Sequence, residues 1–276
     1  MENAAGSSIH FVDRQDLEGL RLPPLPGTLK EAALVEAQIK KLNLPVRTLG
    51  GAGASEMQLA AIPSPRILHL ATHAFALPNN SAAAATVRRS SSPIEFARGP
   101  SSERTALGDG SSPESDGSLA KPAMLRNPVH RSGVVLAGGQ MTLKAWDKGE
   151  IPHPMNDGIL TSDEVGTLKL QGTELVVLSA CDARVGAAGS GEEVLALRRG
   201  FVQAGAENLL MTLWPVGDAG PAEMLAGFYE RFQHTGNAAQ ALAEVQRESL
   251  VKLRKAHGLE AAVRMAGSFV LSVQGH

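Results

Sequence analysis

The stretch Leu175-Val-Val-Leu-Ser-Ala180 is apolar at nearly every position and shorter than an ordinary helix, the form of a strand buried on both faces. A strand with one wet face alternates polar and apolar residues. A strand without that alternation must be covered on both faces, which happens in sheets flanked by helices. This one run therefore constrains the chain to an α/β architecture. It ends at Cys181, the only cysteine of the chain, so the thiol is expected at a strand's C-terminal end.

The remaining segments fit the same architecture. Thr28-Leu-Lys-Glu31 has the form of a capping box, and Ala32, Val35, Ile39 and Leu42 follow at helical spacing, predicting a helix to about Lys41 that Asn43 and Pro45 end. A short strand is expected at 46–49, a helix capped by Ser55 and Gln58 at 55–62, and a buried strand at 66–70. Order resumes with the strand SGVVLA at 132–137, and 153–156 forms a loop before a helix capped by Thr161 and Glu164. After Cys181 comes a glycine-rich loop, 184–191. Ser190-Gly-Glu-Glu193 then caps a helix carrying Val194, Leu197, Phe201 and Ala204 along one side, and a strand follows at 208–213. Two amphipathic helices come next, one placing Met224, Leu225, Phe228 and Phe232 inward, the other Ala238, Leu242, Val245 and Ser249. A strand at 268–273 closes the domain. Strands alternating with helices at this spacing predict a mostly parallel central sheet with helices on both faces, whose ligands lie beyond the strands' C-terminal ends.

One segment breaks the pattern. From about 79 to 126 the chain is crowded with Ser, Gly, Pro and Ala and shows no sustained apolar period, as expected of a disordered insertion within a single domain spanning 1–276.

Bulk properties narrow the function. The 276 residues are 43% apolar, enough for a core, and 26 basic against 28 acidic side chains leave a formal charge of −2. So balanced a surface gives no field that favours nucleic acid or an anionic membrane. No stretch approaches the ~20 apolar residues of a spanning helix, and the opening MENAAGSSIH lacks the basic flank and apolar segment of a secretory signal, so the expected compartment is the cytoplasm. A single cysteine forms no internal disulfide and no cysteine-based metal site. Neither a dinucleotide-binding G-x-G-x-x-G nor GxxxxGK[ST] nor the G-x-S-x-G of α/β-hydrolases is present in the required context.

A thiol at neutral pH is mostly protonated and needs a neighbouring base to become a nucleophile. His73 lies three residues past the apolar run RILHL and Cys181 directly past LVVLSA. If the two strands are adjacent and parallel, both residues reach one edge of the sheet. On the residues alone, a packed thiol and a surface histidine remain open alternatives.

Four ordered motifs carry a resemblance: RILHLATHAFAL, DGILTSDEVGTLKLQGTELVVLSACDARVG, GEEVLALRRGFVQAGAENLLMTLWPVGDAGPAEMLAGFYERF and GSFVLSVQG. Together with LPPLPGTLKEA they make the chain similar to the CHAT family of caspase-like cysteine peptidases, relatives of separase. The resemblance implies a caspase-like three-layer sandwich and a dyad of Cys181 as nucleophile with His73 as general base. It further implies an oxyanion hole formed by the backbone N–H groups of Cys181 and Ala74. Alanine stands where the family commonly has glycine, and it keeps the N–H. His69, the first histidine of HLATH, lies within the strand and is read as a satisfied structural residue.

The same resemblance places Asp218 of LWPVGD at an acidic position lining the S1 pocket, which would receive a basic P1 side chain. Asp218 also fits as an N-cap for the helix after Pro221. Arg88, Arg89, Arg98 and Arg104 would be self-cleavage targets for such an enzyme, or ordinary arginines of a solvated linker. The chemistry requires no metal or organic cofactor. The implied partners are a protein or peptide substrate and a regulatory sensor or helical-repeat module, although the chain itself shows no 34-residue-type repetition. The competing reading is a catalytically silent domain of the same fold, acting as an interaction module or scaffold.

Overall fold

The computed structural model describes residues 22–41, 44–76, 132–148, 150, 156–182, 192–214, 216 and 221–274. These belong to one compact unit formed by 1–78 and 127–276. The expected insertion at about 79–126, the glycine-rich loop and Asp218 lie outside the described residues. Elements follow in the order α1 (Pro26–Lys41), a 3-10 turn (Gly51–Gly53), α2 (Glu56–Ala60), β1 (Ile67–Ala76), β2 (Ser132–Val135), α3 (Gly139–Asp147), β3 (Ile159–Thr161), α4 (Ser162–Val165), β4 (Leu175–Asp182), α5 (Glu192–Ala204), β5 (Asn208–Thr212), α6 (Pro221–Thr235), α7 (Ala238–Ala266) and β6 (Phe269–Val273).

The six strands form one sheet in the order β3-β2-β1-β4-β5-β6. The expectation of a mostly parallel sheet is corrected: the β1–β4 and β4–β5 pairs are parallel, whereas the β2–β3, β1–β2 and β5–β6 pairs are antiparallel. The crossover helix α5 returns the chain to the edge where β4 began, so β5 runs parallel to β4. The connection to β6 holds α6 and α7, the latter broken at Gly258 with φ +86°, and β6 pairs antiparallel with β5. At the other side, β3 went unread because its three residues, Ile-Leu-Thr, are too few for a period to show.

Helices cover both faces, as expected. β4 is buried on each side: Leu175 and Val177 meet α1, α6 and α7 through Ile39, Phe228 and Val245, while Val176 and Leu178 meet α4 and α5 through Val165, Leu197 and Phe201. The interior of the first layer is aromatic, with Phe228 stacked on Phe232 at 5.8 Å and edge-on to Tyr229 at 5.4 Å. Full burial of each such ring contributes about 1.5–3 kcal/mol. No helix among the described residues is long and apolar enough to cross a membrane.

Local readings fared unevenly. Thr161 and Glu164 form the predicted capping box, with Thr161 Oγ1 accepting from the Glu164 N–H and Glu164 accepting from the Thr161 N–H. Ser55 caps α2 by accepting from the Gln58 N–H. The strand expected at 46–49 is irregular chain instead. α1 begins at Pro26, whose fixed φ suits a first turn, so Thr28 is already inside the helix and its hydroxyl donates to the Leu25 carbonyl at 2.7 Å. Glu31 is thereby released from the predicted capping role and turns inward, 2% exposed.

The β2–β3 edge holds a carboxyl pair with a measurable consequence. Glu56 Oε1 accepts from the Gly158 N–H at 2.6 Å, and Asp157 hydrogen-bonds Glu56. Gly158 has φ +81°, and an added Cβ would stand 2.0 Å from the Gly139 nitrogen, so only glycine brings its N–H to this carboxylate. Burial, and then the negative charge of Asp157, push the Glu56 carboxyl up from 4.5 to about 7. A carboxyl raised in the folded state stabilises fully below its unfolded value of 4.5, and that stability is lost as pH rises through about 7. Glu56→Gln keeps the acceptor for Gly158 and removes the charge. It is expected to raise Tm at pH 8 by about 2–4 °C, corresponding to roughly 1 kcal/mol once partial solvent contact is discounted, and to change it little at pH 5. Thermal unfolding at both pH values checks this, and Tm curves that fall in parallel with pH would contradict it.

Candidate active site

β1 and β4 place the two expected dyad residues side by side. In their parallel register His73 pairs with Cys181 and Ala74 with Asp182. His73 was expected just beyond the end of β1, and this is corrected: it lies within the strand, which runs to Ala76, while Cys181, expected at a strand's C-terminal end, is the penultimate residue of β4. Pairing on both sides is the reason, because His73 is also matched to Val135 of β2. A strand held by two neighbours continues past the end of its apolar run.

His73 is 7% exposed, and its Nε2 lies 2.8 Å from the Pro23 carbonyl, just ahead of α1. A carbonyl oxygen only accepts, so Nε2 carries the proton. In a neutral imidazole Nδ1 is then the basic nitrogen. The backbone of the N-terminal arm thus selects the tautomer of the expected base.

His69 lies two pleats before His73 on the same face of β1. Its Nε2 is 2.7 Å from Glu31 Oε1 and its Nδ1 2.9 Å from the Tyr229 hydroxyl, while the Ser179 hydroxyl donates to Glu31 Oε2 at 2.9 Å. The reading of His69 as a satisfied structural histidine holds. Burial, and then the Glu31 charge, push the Tyr229 hydroxyl far above the usual phenol range, so it remains a proton donor. Glu31, Ser179, Tyr229 and Pro23 are what sequence reasoning missed. Glu31 had been spent on a capping box, and no local signal marks a carbonyl that will meet a histidine fifty residues away.

Backbone phase decides what the expected oxyanion donors face. The Leu175 N–H donates to the Arg66 carbonyl at 3.3 Å, and the Leu136 N–H to the Gly158 carbonyl at 2.8 Å. Both bonds set one phase, in which even-numbered residues of β1 face β4 and odd-numbered ones face β2. Continued along the register, that phase directs the Cys181 N–H toward the Thr72 carbonyl and the Ala74 N–H toward the Cys181 carbonyl. While the strands are paired to their ends, both donors point into the gap between β1 and β4.

The model of the CHAT domain matches residues 3–257. The chain belongs to the CHAT domain family. CHAT domains share a caspase-like fold and are often related to peptidases, and the mixed six-stranded sheet with helices on both faces is consistent with that sandwich. No curated protein matches the chain. In this CHAT domain the segments HLATH and LSAC fall on adjacent parallel strands at one level. Among the described residues no group of three His, Cys, Asp or Glu side chains is placed to hold a metal ion. The arginines considered for self-cleavage lie outside the described residues.

Proposed function

We propose that the chain is a cysteine endopeptidase that works through a Cys181–His73 dyad and an acyl-enzyme. The observation that carries this is the direct register of His73 with Cys181, together with the Pro23 carbonyl that leaves Nδ1 as the basic nitrogen. His73 takes the thiol proton, and the Cys181 thiolate adds to the scissile carbonyl, forming the C–S bond. The tetrahedral oxyanion collapses, the C–N bond breaks, and the His73 imidazolium gives its proton to the leaving amine. Water, deprotonated by His73, then hydrolyses the thioester and restores the thiol. The substrate class is protein or peptide. Asp218 is proposed to line the S1 pocket and select Arg or Lys at P1, because a carboxylate beside that subsite favours a basic side chain.

A second reading is favoured by the backbone phase. An oxyanion hole needs two N–H groups converging on a point that substrate can reach, whereas here Ala74 and Cys181 are directed into the sheet. A chain fixed in this arrangement would act as an interaction module. An active one must release the last two residues of β4 from β1 during activation, a step suited to a regulatory partner.

The single cysteine makes the first test direct. A thiolate stabilised by His73 is alkylated at mildly acidic pH, where an ordinary thiol of pKa ~8.5 is almost wholly protonated. Alkylation of Cys181 by iodoacetamide at pH 6 is expected to run roughly tenfold or more faster than that of a small-molecule thiol. A rate that climbs only above pH 8 would instead support the silent module.

A further inference from the structure

We propose that Glu31 is a positioning residue for the dyad, pinning the start of α1, and with it the Pro23 carbonyl, so that His73 is held in the tautomer that leaves Nδ1 basic. The inference rests on the dyad reading and extends it to a residue outside the dyad.

A buried carboxylate persists only if it is fully partnered. Glu31 has Oε1 on His69 of β1 and Oε2 on Ser179 of β4, so one side chain grips both strands that carry the dyad. The protons have an arrangement in which each finds an acceptor. Ser179 O–H and His69 Nε2–H donate to the two carboxylate oxygens, and Tyr229 O–H donates to His69 Nδ1. The grip lies at the correct end of the helix. Glu31 falls early in α1, and Pro23 lies just before Pro26, where the helix begins. Lys30 and Glu223 form an exposed pair at 3.9 Å, and Gln233 holds the Gln38 carbonyl near the opposite end. Loss of the carboxylate leaves His69 and Ser179 without their acceptor, frees the first turns of α1 to shift, and loosens the bond from His73 Nε2 to Pro23.

The test reads the ring itself. In the full chain labelled with 15N-histidine, with His73 assigned by comparison with His73→Gln, the His73 signals are expected to be those of a single Nε2–H tautomer. Glu31→Ala should convert them to an averaged, fast-exchanging pattern and lower kcat roughly 10- to 100-fold with KM little changed. Glu31→Gln should restore the tautomer, since its amide still accepts from His69 and donates to the Ser179 hydroxyl. Should Glu31→Ala fail to fold, Glu31→Asp retains the charge but draws the carboxylate back by one methylene, and a smaller loss of the same kind is expected. A folded Glu31→Ala or Glu31→Asp variant with unchanged His73 signals overturns the proposal. Because the tautomer is read without substrate, that outcome is distinct from failure of the peptidase reading, which is decided by cleavage.

Discussion

A His73→Ala variant is expected to cleave peptides roughly 10²- to 10⁴-fold more slowly than the native chain while keeping its fold. Two losses contribute. The thiol of Cys181 loses the base that generates its thiolate, and the leaving amine loses its proton donor. The pH profile should report the first loss, because the remaining activity of His73→Ala should rise with pH as an unassisted thiol ionises. The effects should not add. A variant lacking both His73 and Cys181 is expected to be no slower than one lacking Cys181 alone, since residues that act as a unit are lost as a unit. Steady-state cleavage from pH 5.5 to 9 checks these statements, and a His73→Ala enzyme within threefold of the native rate would assign the base elsewhere. His73 is buried, and its Nε2 bond to Pro23 is lost in the variant. Circular dichroism on each variant therefore separates loss of chemistry from loss of structure.

The parts of this site that were legible in the sequence are those encoded locally. LVVLSA announced a strand covered on both faces, and β4 is such a strand. The apolar run RILHL put His69 within a strand, as β1 shows, and the Thr161–Glu164 capping box was readable as written. What depends on pairing was not legible. β1 extends through His73 because β2 and β4 hold it on both sides, which an apolar run alone does not reveal. The direction of β6 is set by its long helical connection and its pairing with β5 rather than by the residues of the strand. Glu31 shows the limit most clearly: its position after Thr28 satisfied a capping pattern, yet Pro26 started the helix earlier and the carboxylate joined a buried network. The same local sequence is compatible with both outcomes, and only the packing of α1 against β1 and α6 selects between them.

The mixed sheet also bears on activation. Parallel β4 pairs with β1 from Ile67 to Ala74 and antiparallel β2 from His73 to Ala76, so the two grip it together at His73 and Ala74. This grip gives the histidine a fixed place and, by the same pairing, turns the Ala74 and Cys181 N–H groups inward. Precision at the base and access to the oxyanion donors are therefore opposed in this arrangement. The last residues of β4 are the natural point of adjustment, since among the described residues β5 is matched to β4 at Val176, Val177 and Leu178, whereas the register with β1 continues to Asp182.

The most direct test of the dyad is to incubate the native chain and Cys181→Ala with one diverse peptide pool and compare the products. The expected change is the largest of any substitution considered, because removal of the nucleophile ends the covalent route altogether. The account predicts that the native chain generates new termini, enriched in Arg or Lys at P1, and that Cys181→Ala generates none above the level of buffer. Identical product sets from the two proteins would contradict it and leave the CHAT fold here as an interaction module.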